Sequence, residues 1–293
     1  MTGRGNATTR RRQVDLVGGP ILRSLITLAM PIMASSFLNT IYSITDMAWI
    51  GLLGSRAVAG VGVGGMFMWL AQGFGATARM GGQVNVGQSL GRGDRTAAAD
   101  FARGAIHLAI LLAVIFAFVT AGFTGRLVSL FHLNDTVAVT SAIRYMKITC
   151  GCVVLPYLTG TLGGICTAQG DSRTPLLANS VGLAVNMFLD PMLIRGVGPF
   201  PELGVVGAAV ATVTAQLISV LILVFRGRGD SANVLSGLRL LRLSGRSFYR
   251  NIIRIGVPAS LQSMVYSLIS MTLTRRIEAF GAAAVAVQTS GEM

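Results

Sequence analysis

Two aspartates interrupt the apolar stretches of this sequence, and each stands four residues after a second polar side chain. Asp46 follows Tyr42, and Asp190 follows Asn186. Residues four apart share one face of a helix. Carboxylate, phenol and amide oxygens are ligands for a hard cation such as Na⁺, and a carboxylate also binds a proton. The pattern predicts a site for Na⁺ or H⁺ where the two segments meet.

The depth of the two aspartates in a membrane decides what they can do. A charge at mid-bilayer is costly, so intramembrane acids usually face a cavity or a partner. Acids at helix ends cost less, and Asp190 precedes Pro191 while Asp46 lies near the end of an apolar run. Two interpretations stay open: a binding site, or two interfacial side chains that turn outward or cap the next turn.

The composition is that of a chain with many membrane spans. Its 293 residues have a mean hydropathy of +0.66, and only 12% are charged, against roughly 25% in soluble proteins. We predict an all-α polytopic membrane protein whose apolar runs reach spanning length. The seven predicted spans are residues 21–50, 57–79, 97–123, 143–168, 175–194, 203–225 and 252–273. Asp46 and Asp190 lie late in the first and fifth spans, at similar depth.

Arginine and lysine residues set the predicted orientation. With the N-terminus in the cytoplasm, the inner segments carry about twice as many basic residues as the outer segments, in keeping with the positive-inside rule. Arg275 and Arg276 count against this orientation without reversing it. We expect a bacterial inner (plasma) membrane protein in which residues 1–20 form a cytoplasmic tail.

The first and seventh predicted spans resemble each other at a constant interval of 227 residues. The most specific matching pairs are Arg23 with Arg250, Pro31 with Pro258, and Gly54 with Gly281. Six spans separate the copies, so both enter the membrane from the same side, which predicts parallel repeats. We expect most of the second repeat to be missing. The predicted units are an N-terminal six-helix lobe (21–226), a cytoplasmic linker (227–250), amphipathic around 235–243, and the first helix of an incomplete C-terminal lobe (251–293).

Other features predict structure rather than chemistry. The net charge of +13 does not indicate nucleic-acid binding, because the arginines stand at the ends of apolar segments and not on a basic face. Pro31 is expected to kink the helix that carries Asp46, and residues 91–94 indicate a tight turn. The sequence shows no nucleophile, base or metal constellation, so we do not expect an enzyme. The cysteines and histidines are scattered or packed in apolar segments: Cys150, Cys152, Cys166, His107 and His132.

Several segments together resemble the multidrug and toxic compound extrusion (MATE) family. The likeness covers nearly all of residues 18–293, and its motifs lie at 29–59, 88–94, 168–171 with Pro175, 186–191 and 204–212. The resemblance implies a twelve-helix antiporter of two six-helix lobes, which exports cationic or amphipathic compounds in exchange for H⁺ or Na⁺. It implies no cofactor beyond the coupling ion, a lipid bilayer as surroundings, and a monomer at full length.

The resemblance is strongest to the branch of DNA-damage-inducible exporters, in which the N-terminal lobe carries the cation site. The positions that match its coupling residues, and that would hold Na⁺, are Asp46, Asn186, Asp190 and Thr212. Tyr42 matches a tyrosine that lines the same cavity, and Tyr145 matches another. These assignments follow from the resemblance, and for Thr212 and Tyr145 nothing else in the sequence points to them.

Two alternatives remain at the level of sequence. A flippase for lipid-linked saccharides from the same superfamily would share the helix count, but its cavity should be lined with arginines that meet a pyrophosphate. Arg79 and Arg103 are the arginines that could do so. The other alternative is a truncated remnant that does not transport, because half of the substrate pathway would be absent.

Overall fold

The computed structural model describes residues 21–131, 135–197, 201–229, 233–236 and 242–278. Within these ranges the chain is helical with short connections and contains no strand, so the predicted all-α class is confirmed. The helices are α1 (Ile21–Gly51), α2 (Ser55–Gly91), α3 (Arg95–Ser129), α4 (Thr136–Gly151), α5 (Val154–Ala168), α6 (Arg173–Arg195), α7 (Val205–Gly229) and α8 (Arg246–Glu278).

Six of the described helices are long and apolar enough to cross a membrane, and α4 with α5 make a seventh span if the bent pair counts as one. The helices reach further than the predicted spans. The helix α2 continues to Gly91 instead of ending near residue 79. Polar residues such as Gln83 and Gln88 lower the local hydropathy, but a helix can carry them beyond the hydrocarbon layer.

The predicted fourth span is two helices that meet at an angle of 45°. Pro156 lies in the first turn of α5, and its ring nitrogen has no hydrogen to continue the helical ladder of α4. The backbone tightens instead, with Val153 N donating to Cys150 O at 3.3 Å and Leu155 N donating to Cys152 O at 3.0 Å. The break therefore divides this span into two half-spans.

The centre of the bundle is α2, which contacts α3, α4, α5 and α8. Its glycines let neighbours approach closely: Gly60 faces the backbone of α4, and Gly75 faces the ring of Tyr157. The Tyr157 hydroxyl donates to Ala71 O at 2.6 Å and ties α5 to α2. The helix α2 therefore holds the packing of the lobe together.

The seventh predicted span, α8, lies along α2. Gly81 of α2 faces Ile252, and Gly256 of α8 faces the backbone of Thr77, so the two helices meet almost backbone to backbone. The other face of α8 is apolar and exposed, at Leu261, Val265 and Ile269. Both α1 and α8 contain the proline of the predicted repeat, while the lobe boundaries and the repeat itself stay predictions.

We call the end of the bundle where α2 ends and α3, α6 and α8 begin the linker end. Gly93 has a φ of 77° there, which favours glycine, and Asp94 caps α3 by accepting from Ala97 N at 2.9 Å. The predicted turn at residues 91–94 is confirmed. The helix α7 runs to Gly229 and α8 begins at Arg246, within the predicted linker of 227–250, whose bounds stay a prediction.

Hydrogen bonds and apolar packing hold the described parts of the linker to the lobe. Gln169 Nε2 donates to Asn233 Oδ1 at 2.9 Å, and Ser244 Oγ donates to Asp100 O at 2.9 Å. Leu235 is buried beside α2, α5 and α7. The predicted tail at 1–20, His132, Gly281 and most of the predicted amphipathic segment (237–241) lie outside the described residues.

Candidate cation-binding site

The two pairs recognised from spacing meet in the structure. The helix α1 carries Tyr42 and Asp46, the helix α6 carries Asn186 and Asp190, and α1 makes its main contacts with α6. Asn186 and Asp190 are almost completely buried, and Tyr42 and Asp46 are half-buried. The facing sides of the two helices therefore present two carboxyl groups, an amide and a phenol to one another.

The carboxyl groups of Asp46 and Asp190 lie close enough to interact with each other. Asp190 is 0% exposed, which disfavours an interfacial role for it. The Oδ1 atom of each aspartate is buried and has no hydrogen-bond partner among the described residues. Two carboxylates at this separation repel each other strongly unless a proton or a cation lies between them.

Asn186 links this pair to α7. In the amide orientation that satisfies both neighbours, Nδ2 donates to Asp190 Oδ2 at 2.8 Å and Oδ1 accepts from Thr212 N at 3.1 Å. The amide therefore fixes the direction of the Asp190 carboxyl group, and it leaves the second oxygen, Oδ1, buried without a partner among the described residues.

Thr212 lies between the acidic pair and the two tyrosines of the predicted cavity. Its Oγ1 donates to Ala208 O at 3.0 Å, so the oxygen remains an acceptor, and the side chains of Tyr42 and Tyr145 both lie close to it. Tyr145 comes from α4 and is buried. The six residues predicted for the coupling site and its cavity lie in one cluster, built from α1, α4, α6 and α7, while their roles stay predictions.

An apolar layer closes this cluster on the side away from the linker end. Ile50 and Ile194 are each 0% exposed, and each stands four residues after one of the aspartates. They pack with Val61, Ala208 and Ala209. Sequence reasoning missed this layer, although the shared spacing of aspartate and isoleucine in the two helices was a visible signal.

Two prolines lie in the helices that carry the aspartates. Pro191 follows Asp190 and has no N–H to donate to Met187 O, so one helical hydrogen bond is absent beside the site. Pro31 lies inside α1, several turns before Asp46. Both helices can therefore bend close to the polar cluster or along the path to it.

The two arginines relevant to a flippase lie in different surroundings. Arg103 is 9% exposed and donates to Asp100 Oδ1 at 2.5 Å. Arg79 is exposed on α2, and its aliphatic stem contacts the glycines of α5, with Cδ 3.2 Å from the Cβ position of Gly160. Of these two arginines, only Arg79 is therefore available to a ligand.

No group of three or more histidine, cysteine or acidic side chains that could hold a metal occurs in the part of the chain that the structure describes. Cys150 and Cys166 are buried in apolar clusters, and Cys152 is half-buried. The cysteines thus occupy packing positions.

Known proteins resemble this chain in sequence. The family model described as MatE matches residues 31–192. The probable multidrug resistance protein NorM of Thermotoga maritima is 29% identical over 252 residues, which cover 84% of this chain and 53% of that protein. The FAD transporter of Shewanella oneidensis is 29% identical over 210 residues, 70% of this chain and 45% of that protein.

A solved structure shows the same fold. A MOP superfamily transporter from Pyrococcus furiosus superposes with a TM-score of 0.85 and 25% identity, over 96% of this chain and 61% of that one. The chain spans about half the length of the curated relatives it matches. With more than half of its residues matched by the family model, the chain belongs to the MatE family, the multidrug and toxic compound extrusion (MATE) transporters.

Proposed function

We propose that the full-length protein is a secondary antiporter that exports cationic or amphipathic compounds in exchange for H⁺ or Na⁺. It would act as a monomer in the bacterial inner membrane, with its N-terminus in the cytoplasm. The observation that carries this proposal is the meeting of Asp46 and Asp190 inside the bundle.

The exchange would follow from charge. With both carboxylates ionised the cluster attracts a cationic substrate, and a proton or Na⁺ bound between them removes that attraction. The helix α1 is loosely packed: its main contact among the described residues is with α6, and its contacts with α2 and α7 are smaller. Loss of the charge on Asp46 would therefore let α1 change its position at Pro31 and release the substrate.

The arrangement is compatible with either coupling ion. A proton needs only the two carboxyl groups, whereas Na⁺ would take oxygens from Asp46, Asp190, Asn186 and Thr212. In the described arrangement the Asn186 oxygen accepts from Thr212 N. Binding of Na⁺ would therefore have to share that oxygen, while binding of a proton would leave the amide where it is.

The test is the substitution Asp46→Asn in the full-length protein. We expect efflux of a cationic dye driven by an H⁺ or Na⁺ gradient to be lost. The amide that replaces the Asp46 carboxylate has no charge, so it cannot bind substrate and coupling ion in turn. Membrane insertion should be retained. The assay is dye transport in vesicles, with a pH gradient and a sodium gradient imposed separately to identify the coupling ion.

The matched control is Glu202→Gln, which removes an exposed carboxylate from the loop before α7. This variant should transport at the wild-type rate. Normal gradient-driven efflux by the Asp46→Asn protein would refute the assignment of Asp46, whatever the substrate.

A flippase for lipid-linked saccharides is the second candidate, and the exposed side chain of Arg79 is the observation that favours it. Arg103 does not add to it, because this side chain is buried and paired with Asp100. A flippase would translocate a pyrophosphate-linked lipid in the same vesicles and would depend on Arg79. We favour the exporter, because the polar cluster inside the lobe is acidic.

A further inference from the structure

We propose that a cavity at the linker end binds the phosphate group of an anionic ligand, independently of the acidic site. The cavity has a volume of about 330 Å³ and lies between α2, α3 and α8. Its polar lining comes from the last turns of α2 and the first turns of α8, and it includes Arg92 and Arg254. The two guanidinium groups belong to different helices, so a ligand between them would link α2 to α8.

Ser89 marks the cavity as built for a ligand. Its side chain lines the cavity and is only 5% exposed. Its hydroxyl makes no hydrogen bond with the described residues and is accessible from the cavity, unlike the buried unpaired polar atoms of the lobe. A phosphate oxygen is a strong acceptor for a hydroxyl. Ser89 would therefore donate to an oxygen of the bound phosphate.

Asn85 adds a second polar group one turn earlier on α2. It is 6% exposed, and Nδ2 donates to Gly81 O at 2.7 Å. Its amide oxygen is left to accept from a donor in the cavity, either water or a hydroxyl carried by the ligand. A phosphate ester that bears hydroxyl groups fits this combination better than a simple halide.

The positive charge extends beyond this cavity. An adjoining cavity of about 810 Å³ is lined by Arg246, Ser247, Arg250, Asn251 and Arg254, and it shares Asn251 and Arg254 with the first. No acidic side chain of the described residues lines either cavity. Arginine binds phosphate through parallel N–H donors, so this surface suits a phosphate more than it suits a cation.

The cavity also has an apolar wall. Phe101 packs edge to face on Phe248, with ring centroids 4.8 Å apart, and Ile255 lies beside them. Basic pockets between membrane helices on the cytoplasmic side are typical sites for anionic lipid headgroups. A phospholipid phosphate and a free phosphate ester share the chemistry recognised here, and the experiment separates these two sources.

The experiment titrates the purified full-length protein in neutral detergent with phosphatidylglycerol and follows the unfolding temperature. Phosphatidylcholine, which has no net charge, is the comparison lipid. We expect phosphatidylglycerol to raise the unfolding temperature at lower concentration. The double substitution Arg92→Gln with Arg254→Gln should weaken half-saturation about tenfold or more, because two charged hydrogen bonds are lost. Ser89→Ala, which keeps the charge, should weaken it about threefold.

The control is Arg144→Gln, an exposed arginine of α4 outside both cavities, which should bind as the wild type does. In a second arm, inorganic phosphate replaces the lipid. Stabilisation by phosphate, with competition against the lipid, supports a site for the phosphate group alone, and stabilisation by lipid only supports a headgroup site. The proposal is overturned if neither probe stabilises the wild type, if Arg144→Gln weakens binding as much as the double substitution, or if Ser89→Ala and the double substitution bind normally.

Discussion

The helices α1 and α2 are equally apolar along their spans, yet they occupy opposite positions in the packing. Among the described side chains of α1 only Ile50 is buried, whereas α2 is buried along much of its length. The reason lies in small residues. The one glycine of α1 is its last residue, Gly51, while α2 meets α4, α5 and α8 through glycines. Hydropathy alone therefore does not identify the central helix of a membrane bundle.

The comparison extends to function. In the proposed mechanism, the helix that moves is α1, which packs mainly on α6, and α2 is the packed centre of the lobe. A helix that changes position during transport must not be held by extensive packing against its neighbours. Three substitutions test this division between a fixed and a loosely held helix.

The largest effect is expected for Gly81→Val in α2. An added side chain would meet the carbonyl group of Ile252 in α8, and neither backbone can move without separating the helices. We expect a destabilisation of about 3 kcal/mol or more. The measurement is thermal unfolding in detergent, together with the yield of monodisperse protein.

Gly62→Val is the matched control in the same helix, because nothing lies within 4 Å of the Cβ position of Gly62. It should fold with almost wild-type stability. Equal loss of stability in the two variants would mean that glycine acts through the helix itself and not through the contact with α8.

A smaller effect is expected for Tyr157→Phe. The ring keeps its place against Gly75, but the hydrogen bond of 2.6 Å to Ala71 O is removed. We expect a loss of about 1 kcal/mol, the usual contribution of one buried hydrogen bond. Tyr266→Phe, on the exposed face of α8, should leave the unfolding temperature unchanged, and a similar shift in both variants would argue against the α2–α5 bond.

The smallest effect is expected for Phe37→Ala in α1. Phe37 is 68% exposed, so its removal leaves no cavity, and the change in stability should stay within about 0.5 kcal/mol. Thermal unfolding of the full-length protein checks this. A loss as large as that of Gly81→Val would show that α1 is held as firmly as α2.

Much of the fold follows from the sequence, because spans, glycines and turns leave local signals. The spacing of Tyr42 with Asp46 and of Asn186 with Asp190 was enough to predict two polar faces. The similar depth of the two aspartates led to the prediction that these faces form one site, but the spacing itself does not decide which helices pack together. Thr212 and Tyr145 came from resemblance alone, because a threonine and a tyrosine in an apolar helix have many ordinary explanations.

The arginine cavity was missed for a different reason. Arg92 and Arg254 were interpreted as markers of orientation, which depends only on the side of the membrane. Arg92 and Arg254 lie close together because α8 packs along α2. This contact joins residues far apart in the chain, and no local sequence pattern indicates it. Pro156, by contrast, was a local signal for the broken fourth span, and hydropathy averaged over the window concealed it.

The break at Pro156 gives the fourth span two attachments instead of one. The half formed by α5 is anchored to α2 through Tyr157, and the half formed by α4 carries Tyr145 into the acidic cluster. A continuous helix would transmit any tilt along its whole length. The break instead gives each half a direction of its own, so α4 packs on Gly60 of α2 and still brings Tyr145 beside the two aspartates, while α5 packs on Gly75.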